Sequence, residues 1–335
     1  MFDQYLRDLV KNHELPGAVL HVQHNGETVF HNAYGGYIDR EQNACLITKH
    51  TLFDLASLTK VMATLPSILW LVENRQLELD HSVQTYIPEF KHPDVKIKHA
   101  LTHTSGLPAD LKQVKRGEQR DLLLEIMKLE LLHPSGKQVQ YSDLGMILLG
   151  KIVEKITGLS LDAFTKDYLY TPWGMTDTTF NPKEPDRAAS TEWFQNRYIQ
   201  GEVHDEKAFI LRGMSGHAGL FGTASEVGRF GHYFLNPDDQ GVLSTSRIKQ
   251  ATAHQEQNRG LGFEVWSGRG AELSCGRRWS EGSFGHTGFT GTSLWIDPKE
   301  KLVVTFLTNM VHYGRKHQMN RIRPHLHSLI HSSFI

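Results

Sequence analysis

A chain of 335 residues with 36 Lys and Arg against 37 Asp and Glu has a formal net charge of -1, which leaves no electrostatic footprint for nucleic acid or for an anionic membrane. The two cysteines, Cys45 and Cys275, form no Cys-x-x-Cys, so neither a disulfide framework nor a thiolate zinc site is indicated. The length suffices for a large core and suggests two domains or one large one.

Met1 to Lys11 reads as an amphipathic first helix and not as a signal peptide, for it has neither a basic n-region nor an apolar h-region. No run of about 18 apolar residues occurs, and the expected compartment is cytoplasmic. Ala18 to His24 and Glu27 to Ala33 alternate in polarity around Asn25-Gly26, the strongest short-range hairpin signal. Helical periods then dominate from Leu58 to about Leu235, notably Leu122 to Leu132, Leu144 to Ile156 and Leu161 to Tyr168. Strand patterning returns at Gly262 to Trp266, Thr292 to Ile296 and Lys301 to Thr308, before a closing helix from about Gln318 to Ile330. Strands at both ends with helices between predict an α+β fold. Its antiparallel sheet, flanked by helices, is built from both termini (1–57 and 240–335), an all-helical domain (58–239) is inserted, and the active site lies in the cleft between them.

Ser57 and Lys60 sit three apart at the start of a long apolar run, so a helix beginning at Ser57 puts the amine beside the hydroxyl. Its N-terminal N–H groups and positive dipole end favour the charge that develops during attack on a carbonyl. Spacing alone is weak evidence. Ser246-Arg247-Ile248-Lys249 repeats it, and average composition supplies roughly one such pair by chance. Ser57 opens an apolar helix suited to burial, whereas Ser246 stands among Thr245, Arg247, Lys249 and Gln250, as on a solvated face.

Tyr141-Ser142-Asp143 precedes a helix near Leu144. Asp143 is a natural N-cap, and the Tyr141 phenol could shuttle the serine proton, as base and then as acid to the leaving group. Gly285 to Gly291 reads as a Gly-rich turn before a strand; a backbone N–H there could complete an oxyanion hole with that of Ser57.

In this order, Ser57-x-x-Lys60, Tyr141-Ser142-Asp143 and His286-Thr287-Gly288 resemble the serine β-lactamase and DD-peptidase superfamily, specifically its class C-like branch. The likeness spans nearly the whole chain through Leu15-Pro16-Gly17-Ala18, Leu79 to Pro88, Leu101 to Pro108 and Trp173-Gly174-Met175. It implies a β-lactamase/transpeptidase-like fold, Ser57 as acylated nucleophile, Lys60 as its base partner and Tyr141 as second base. It also implies that His286, Thr287 and Gly288 line the cleft and that Phe289 adds its N–H to the oxyanion hole. Two departures stand out. His286 occupies the place of a lysine that helps hold the substrate carboxylate, and imidazole is mostly neutral at pH 7 and charged only below about 6.5; this argues against efficient hydrolysis of β-lactams or D-Ala-D-Ala. Asp143 replaces an asparagine that can donate to a substrate carbonyl, and a carboxylate instead favours a donor or cation.

Gly201 to Glu206 and Gly216 to Thr223 look similar to a branch that includes amidases cutting the N-acetylmuramic acid to L-alanine bond. His204, Asp205 and His217 could alternatively hold a metal, but such segments often only line a polar cleft, and no metal or cofactor is expected. His325, His327 and His331 on the closing helix read as a solvated surface. Gly145-x-x-x-x-Gly150-Lys151 fails as a phosphate loop because Ile152 stands where Ser or Thr is needed. No Gly-x-Ser-x-Gly and no His-Glu-x-x-His occurs.

The expected function is serine-dependent transfer of an acyl group to water from an amide or ester, such as a muropeptide or a D-amino-acid-containing peptide. A small-molecule carboxylesterase and a non-hydrolytic acyl-binding sensor are the alternatives. The expected partner is thus a small molecule or short peptide, with the oligomeric state open.

Overall fold

The structure is a computed structural model that describes residues 1–239, 241–255 and 257–335; residue 240, the expected domain boundary, lies outside the described residues. Seven strands form one antiparallel sheet: β1 (Gly17–His24), β2 (Glu27–Ile38), β3 (Ala44–Leu46), β4 (Glu264–Val265), β5 (Phe284–Thr287), β6 (Ser293–Asp297) and β7 (Leu302–Thr308). Their spatial order is β3-β2-β1-β7-β6-β5-β4, so β1 and β7 pair at the centre, Ala18 opposite Thr308 and His24 opposite Leu302. Strand patterning at both ends of the sequence thus resolves into one sheet. The Asn25-Gly26 hairpin forms as expected, with φ of 53° and 85° at the two turn residues and His24 facing Glu27, the backbone of a two-residue primed turn.

Both sheet faces are covered, which explains why β7 is buried along its whole length and mostly apolar on both faces, not alternating. Leu302, Val304 and Phe306 pack with Leu6 and Leu9 of the first helix (Phe2–Lys11) and with Ile322, Leu326 and Ile330 of the closing helix (Met319–Phe334). Val303 and Leu307 face the other way, toward Val227 and Phe230 of the helix Ala224–Leu235. That helix can lie close because it presents glycine to the sheet: a Cβ at Gly231 would come within 2.5 Å of Val303. His327 and His331 belong to the covered face as well, 0% and 7% exposed, and bond to Ser293 and Asp297 of β6. The expected solvated face is therefore corrected: 327 and 331 point inward because the closing helix packs on the sheet.

The middle of the chain differs from an all-helical insert. It holds the helices Leu65–Glu73, Leu122–Lys128, Asp143–Thr157 and Leu161–Thr165, but also short strands at Thr179–Phe180, Trp193–Phe194, Arg197–Tyr198 and Leu220–Gly222. The helix Ala224–Leu235, which chain position assigns to the insert, lies on the sheet. Gly150 finds its reason in packing, since a Cβ there would sit 2.9 Å from the Gly216 backbone. Among the described residues no helix is long and apolar enough to cross a membrane.

Candidate active site

The site starts from a strained turn. Phe53–Asp54 pairs as a short strand with Leu220–Gly222, and Asp54, buried, accepts from Ala56 N at 2.8 Å and from His204 N at 2.6 Å. This clamp holds Ala56 at φ 46°, a left-handed conformation costly for a residue with a Cβ. The chain then reverses, and Ser57 emerges partly exposed at the N-terminus of the central helix, its carbonyl accepting from Lys60 N at 3.1 Å. The next turn, Lys60–Thr64, is π-helical, a local widening common at functional sites.

Lys60 is 0% exposed; its Nζ donates to Ser57 Oγ at 2.8 Å and to the His217 carbonyl at 3.0 Å, and it is ion-paired with Asp143 Oδ1 at 2.8 Å. Burial opposes the charge, but Asp143 and Tyr141 outweigh it and hold the amine above the ordinary lysine value. With two hydrogen bonds donated and a carboxylate at ion-pair distance, the surroundings favour the ammonium form, a cation aimed at Ser57, where the resemblance implies a base partner. The Tyr141 ring lies 5.1 Å from Nζ, between His103 at 4.5 Å and His286 at 6.0 Å.

The N-cap of the helix Asp143–Thr157 is Ser142, which accepts from Leu144 N at 3.2 Å. Asp143 is thereby left to face the cleft, and it meets two cations, Lys60 and Lys207, the latter at 3.4 Å. Burial opposes its charge, yet Lys60, His217 and Lys207 pull its carboxyl down to about 2. Lys207 also pairs with Asp110 at 3.0 Å and Asp205 at 3.1 Å, and Asp205 accepts from His217 Nε2 at 2.7 Å. The ligand atoms of Asp143, Asp205 and His217 lie within 4.8 Å of one another, but the ammonium groups of Lys60 and Lys207 already supply the positive charge that a metal would bring. His204 is turned toward Glu192, at 3.1 Å, and stacks on Phe289.

The run containing His286 is not a turn throughout. His286 and Thr287 lie on β5, opposite Leu294 and Ser293, and only Gly288 to Gly291 turn. Gly288 is required for close approach: a Cβ there would fall 2.6 Å from the Leu55 carbonyl and 3.3 Å from Ala56 Cβ. Thr290 and Thr292 hydroxyls bond the carbonyls of Asp54 and Leu55 at 2.7 and 3.2 Å, locking the strand against the serine turn. The His286 ring, 3% exposed, has Nδ1 2.8 Å from the Thr287 carbonyl. A carbonyl only accepts, so Nδ1 carries the proton and Nε2 a lone pair, and Nε2 has no partner among the described residues. Burial, with Lys60 and Arg259 nearby, pushes the imidazole down to about 3. The expected gain of charge below about 6.5 is corrected accordingly: His286 stays neutral.

These groups line an open cleft of about 520 Å³ whose wall includes Ser57, Tyr141, Asp143, His286, Thr287 and Gly288, with half-exposed Phe289 at its edge. Reading from motifs missed Lys207, Asp110, Arg259 and Arg323, which also line it. Lys207 adjoins a motif block already singled out, whereas Arg259 and Arg323 carry no local signal; the fold brings them in.

The family model described as Beta-lactamase matches residues 2–327. An N-acetylmuramyl-L-alanine amidase of Bacillus subtilis (strain 168) is 34% identical over 343 positions, covering 89% of this chain and 78% of the relative. A protein of Escherichia coli (strain K12) that carries the provisional name D-alanyl-D-alanine carboxypeptidase is 32% identical over 320 positions, 83% of this chain and 73% of its own. The fold matches that of EstCE1, a hydrolase with promiscuous acyltransferase activity, with a TM-score of 0.79 at 22% identity over 97% of both chains. It also matches an octameric penicillin-binding protein homologue from Pyrococcus abyssi, with a TM-score of 0.76 at 20% identity over 98% of this chain and 76% of that one. With sequence likeness along almost the full length and a β-lactamase-like fold, the chain is a member of the Beta-lactamase family and a serine hydrolase of that superfamily.

Proposed function

We propose that the chain cleaves the amide bond of a muropeptide-like cell-wall fragment through an acyl-enzyme on Ser57. The observation that carries this reading is the buried Lys60 ammonium held between Ser57 Oγ and Asp143, both of which line the cleft; the name of the Bacillus relative supports the choice of bond. Ser57 Oγ attacks the carbonyl carbon while its proton passes to Tyr141 Oη, and the Tyr141 proton passes to the leaving nitrogen. Lys60 contributes fixed positive charge beside the attacking oxygen, and the N–H groups of Ser57 and Phe289 receive the carbonyl oxygen as it turns anionic. Water then repeats the sequence in reverse and frees the acid.

Incubation with a muropeptide, a D-Ala-D-Ala peptide and short p-nitrophenyl esters side by side tests the reading. Catalytic release of L-alanine-terminated peptide from the muropeptide is expected. Turnover confined to the esters would point to a carboxylesterase, and product formation that stops at one equivalent would point to a sensor.

A further inference from the structure

Two routes lead away from the Lys60 ammonium, and they meet at one residue. On one side Lys60 is ion-paired with Asp143 Oδ1, whose second oxygen, Oδ2, stands 3.4 Å from Lys207 Nζ. On the other side Lys60 donates to the main-chain carbonyl of His217, and the ring of the same residue meets Asp205 Oδ1 through Nε2 at 2.7 Å. Burial opposes the charge of Asp205, but His217 and Lys207 hold its carboxyl well below the usual range. An ionised carboxylate only accepts, so His217 Nε2 carries a proton; Nδ1, on the opposite edge of the ring, lies 2.9 Å from Ser215 Oγ. Asp205 Oδ2 in turn accepts from Lys207 Nζ at 3.1 Å, and the two routes close.

Lys207 is placed there by a local cap. Asp205 opens the helix Glu206–Ile210 by accepting from Ala208 N at 2.9 Å. Lys207 follows at the second helical position with its side chain only 4% exposed, and it also donates to Asp110 at 3.0 Å. Burial opposes its charge, but Asp205, Asp143 and Asp110 outweigh it and hold the ammonium above the ordinary lysine value. The charged and titratable groups that face Asp143 are Lys60, Lys207, His217 and Asp205, with a neutral, buried His103 nearby. Without Lys207, Asp143 and Asp205, which offer oxygens within 4.8 Å of each other, would be like charges sharing one partly enclosed site, an arrangement that drives one of them to take up a proton. A protonated Asp143 no longer holds the Lys60 charge.

We propose that Lys207 is a positioning residue for catalysis: by clamping Asp143 and Asp205 together it fixes both supports of the Lys60 ammonium beside Ser57. This rests on Ser57 being the nucleophile of the hydrolytic site proposed above.

The rate at which a fluorophosphonate labels Ser57 reads serine activation without the natural substrate, and carbon-13 NMR titration of the Asp143 carboxyl reads the clamp itself. Lys207→Met should slow labelling at pH 7 on the order of tenfold or more, as small misplacements of a reacting group do. It should also raise the Asp143 midpoint by about one unit or more. Lys207→Arg, which keeps the charge, should recover most of the rate. Lys207→Met/Asp205→Asn removes one charge of each sign and so guards against a single variant that fails to fold; it still leaves Asp143 Oδ2 unclamped, and labelling should remain slow. A wild-type labelling rate in Lys207→Met or in the double variant overturns the proposal, as does an unmoved Asp143 midpoint in Lys207→Met or an equal loss of rate in the Met and Arg variants. Absence of labelling on the wild type would overturn the hydrolytic reading and this proposal with it, whereas a labelled wild type with indifferent Lys207 variants overturns this proposal alone.

Discussion

Ser57-Leu58-Thr59-Lys60 and Ser246-Arg247-Ile248-Lys249 share one spacing and both stand at helix starts, yet their surroundings have almost nothing in common. Ser246 follows an ordinary serine cap, Ser244, which accepts from Arg247 N at 3.4 Å; its own hydroxyl meets that of Ser244, at 2.9 Å on the surface, and Lys249 is exposed. Lys60 is sealed in, donating to Ser57 and to a main-chain carbonyl and ion-paired with Asp143. The teaching is physical: three residues of helix bring hydroxyl and amine to one face, but only exclusion of water gives a fixed charge enough strength to activate its neighbour. Water around Lys249 screens the same interaction to near nothing.

The sharpest way to break the comparison is to remove each serine. Ser57→Ala should lower kcat on the order of 10⁴-fold or more, as loss of a nucleophile does, whereas Ser246→Ala should leave turnover as it is. Intact-mass labelling with a serine-reactive phosphonate should show one adduct on the wild type and on Ser246→Ala; an adduct on Ser57→Ala would sink the assignment.

Removing the partners comes next. Lys60→Ala and Tyr141→Phe should each reduce kcat about 10²–10⁴-fold, and because both act on one proton path, the double variant should lose less than the product of the two. Strict multiplicativity, read from steady-state rates, would show independent roles. Lys60→Ala also takes from buried Asp143 the nearer of its two cations, leaving Lys207, and should cost up to about 3–5 kcal/mol in urea unfolding, against less than about 0.5 kcal/mol for Lys249→Ala.

Asp143→Asn asks which form of Lys60 works. Asp143 raises the Lys60 pKa, so its removal lets the ammonium deprotonate at lower pH. If the charged form is the working one, the alkaline limb of kcat/KM moves down by about 1–3 units and activity at pH 7 does not rise. A rise at pH 7 would make the neutral amine the working base and reverse the mechanism proposed above.

The last comparison concerns buried imidazoles, the counterpart of buried Lys60 with no carboxylate to offset desolvation. Burial depresses His21 to about 4 and both His286 and His327 to about 3. The unfolded chain takes up protons near 6.5 while the folded chain refuses them, so stability is complete above about 6.5 and declines as pH falls toward about 3. Each group contributes a slope of up to about 1.4 kcal/mol per pH unit in that window. Thermal unfolding at pH 7.5 and pH 5 should show a lower Tm at pH 5, and carboxylate affinity should not depend on His286 across that range; an equal Tm at the two values would contradict the buried, neutral assignment.

Much of this site was legible before any coordinates, because its chemistry depends on short-range order. The hairpin needed only Asn25-Gly26 between alternating runs, and the Ser57 to Lys60 pairing needed only helical spacing ahead of an apolar run. Tyr141 and the His286 run were readable as motifs, and Asp143 as a carboxylate in want of a cation. Other parts had no local expression. The helix Ala224–Leu235 looked like one more member of the helical stretch, and only packing of Val227 and Phe230 on Val303 and Leu307 assigns it to the sheet. His327 and His331 had the spacing of a surface pair, and the sheet beneath them made them interior. Ionisation states were decided at the same level: Lys60 is charged because Asp143 lies 2.8 Å away, His286 is neutral because no carboxylate answers its burial, and Arg259 reaches the cleft across more than a hundred residues from Tyr141. Helix and turn preferences act over a few residues and so appear in the order of amino acids. Desolvation and Coulomb pairing depend on distances between segments remote in the chain, and only the folded molecule sets those.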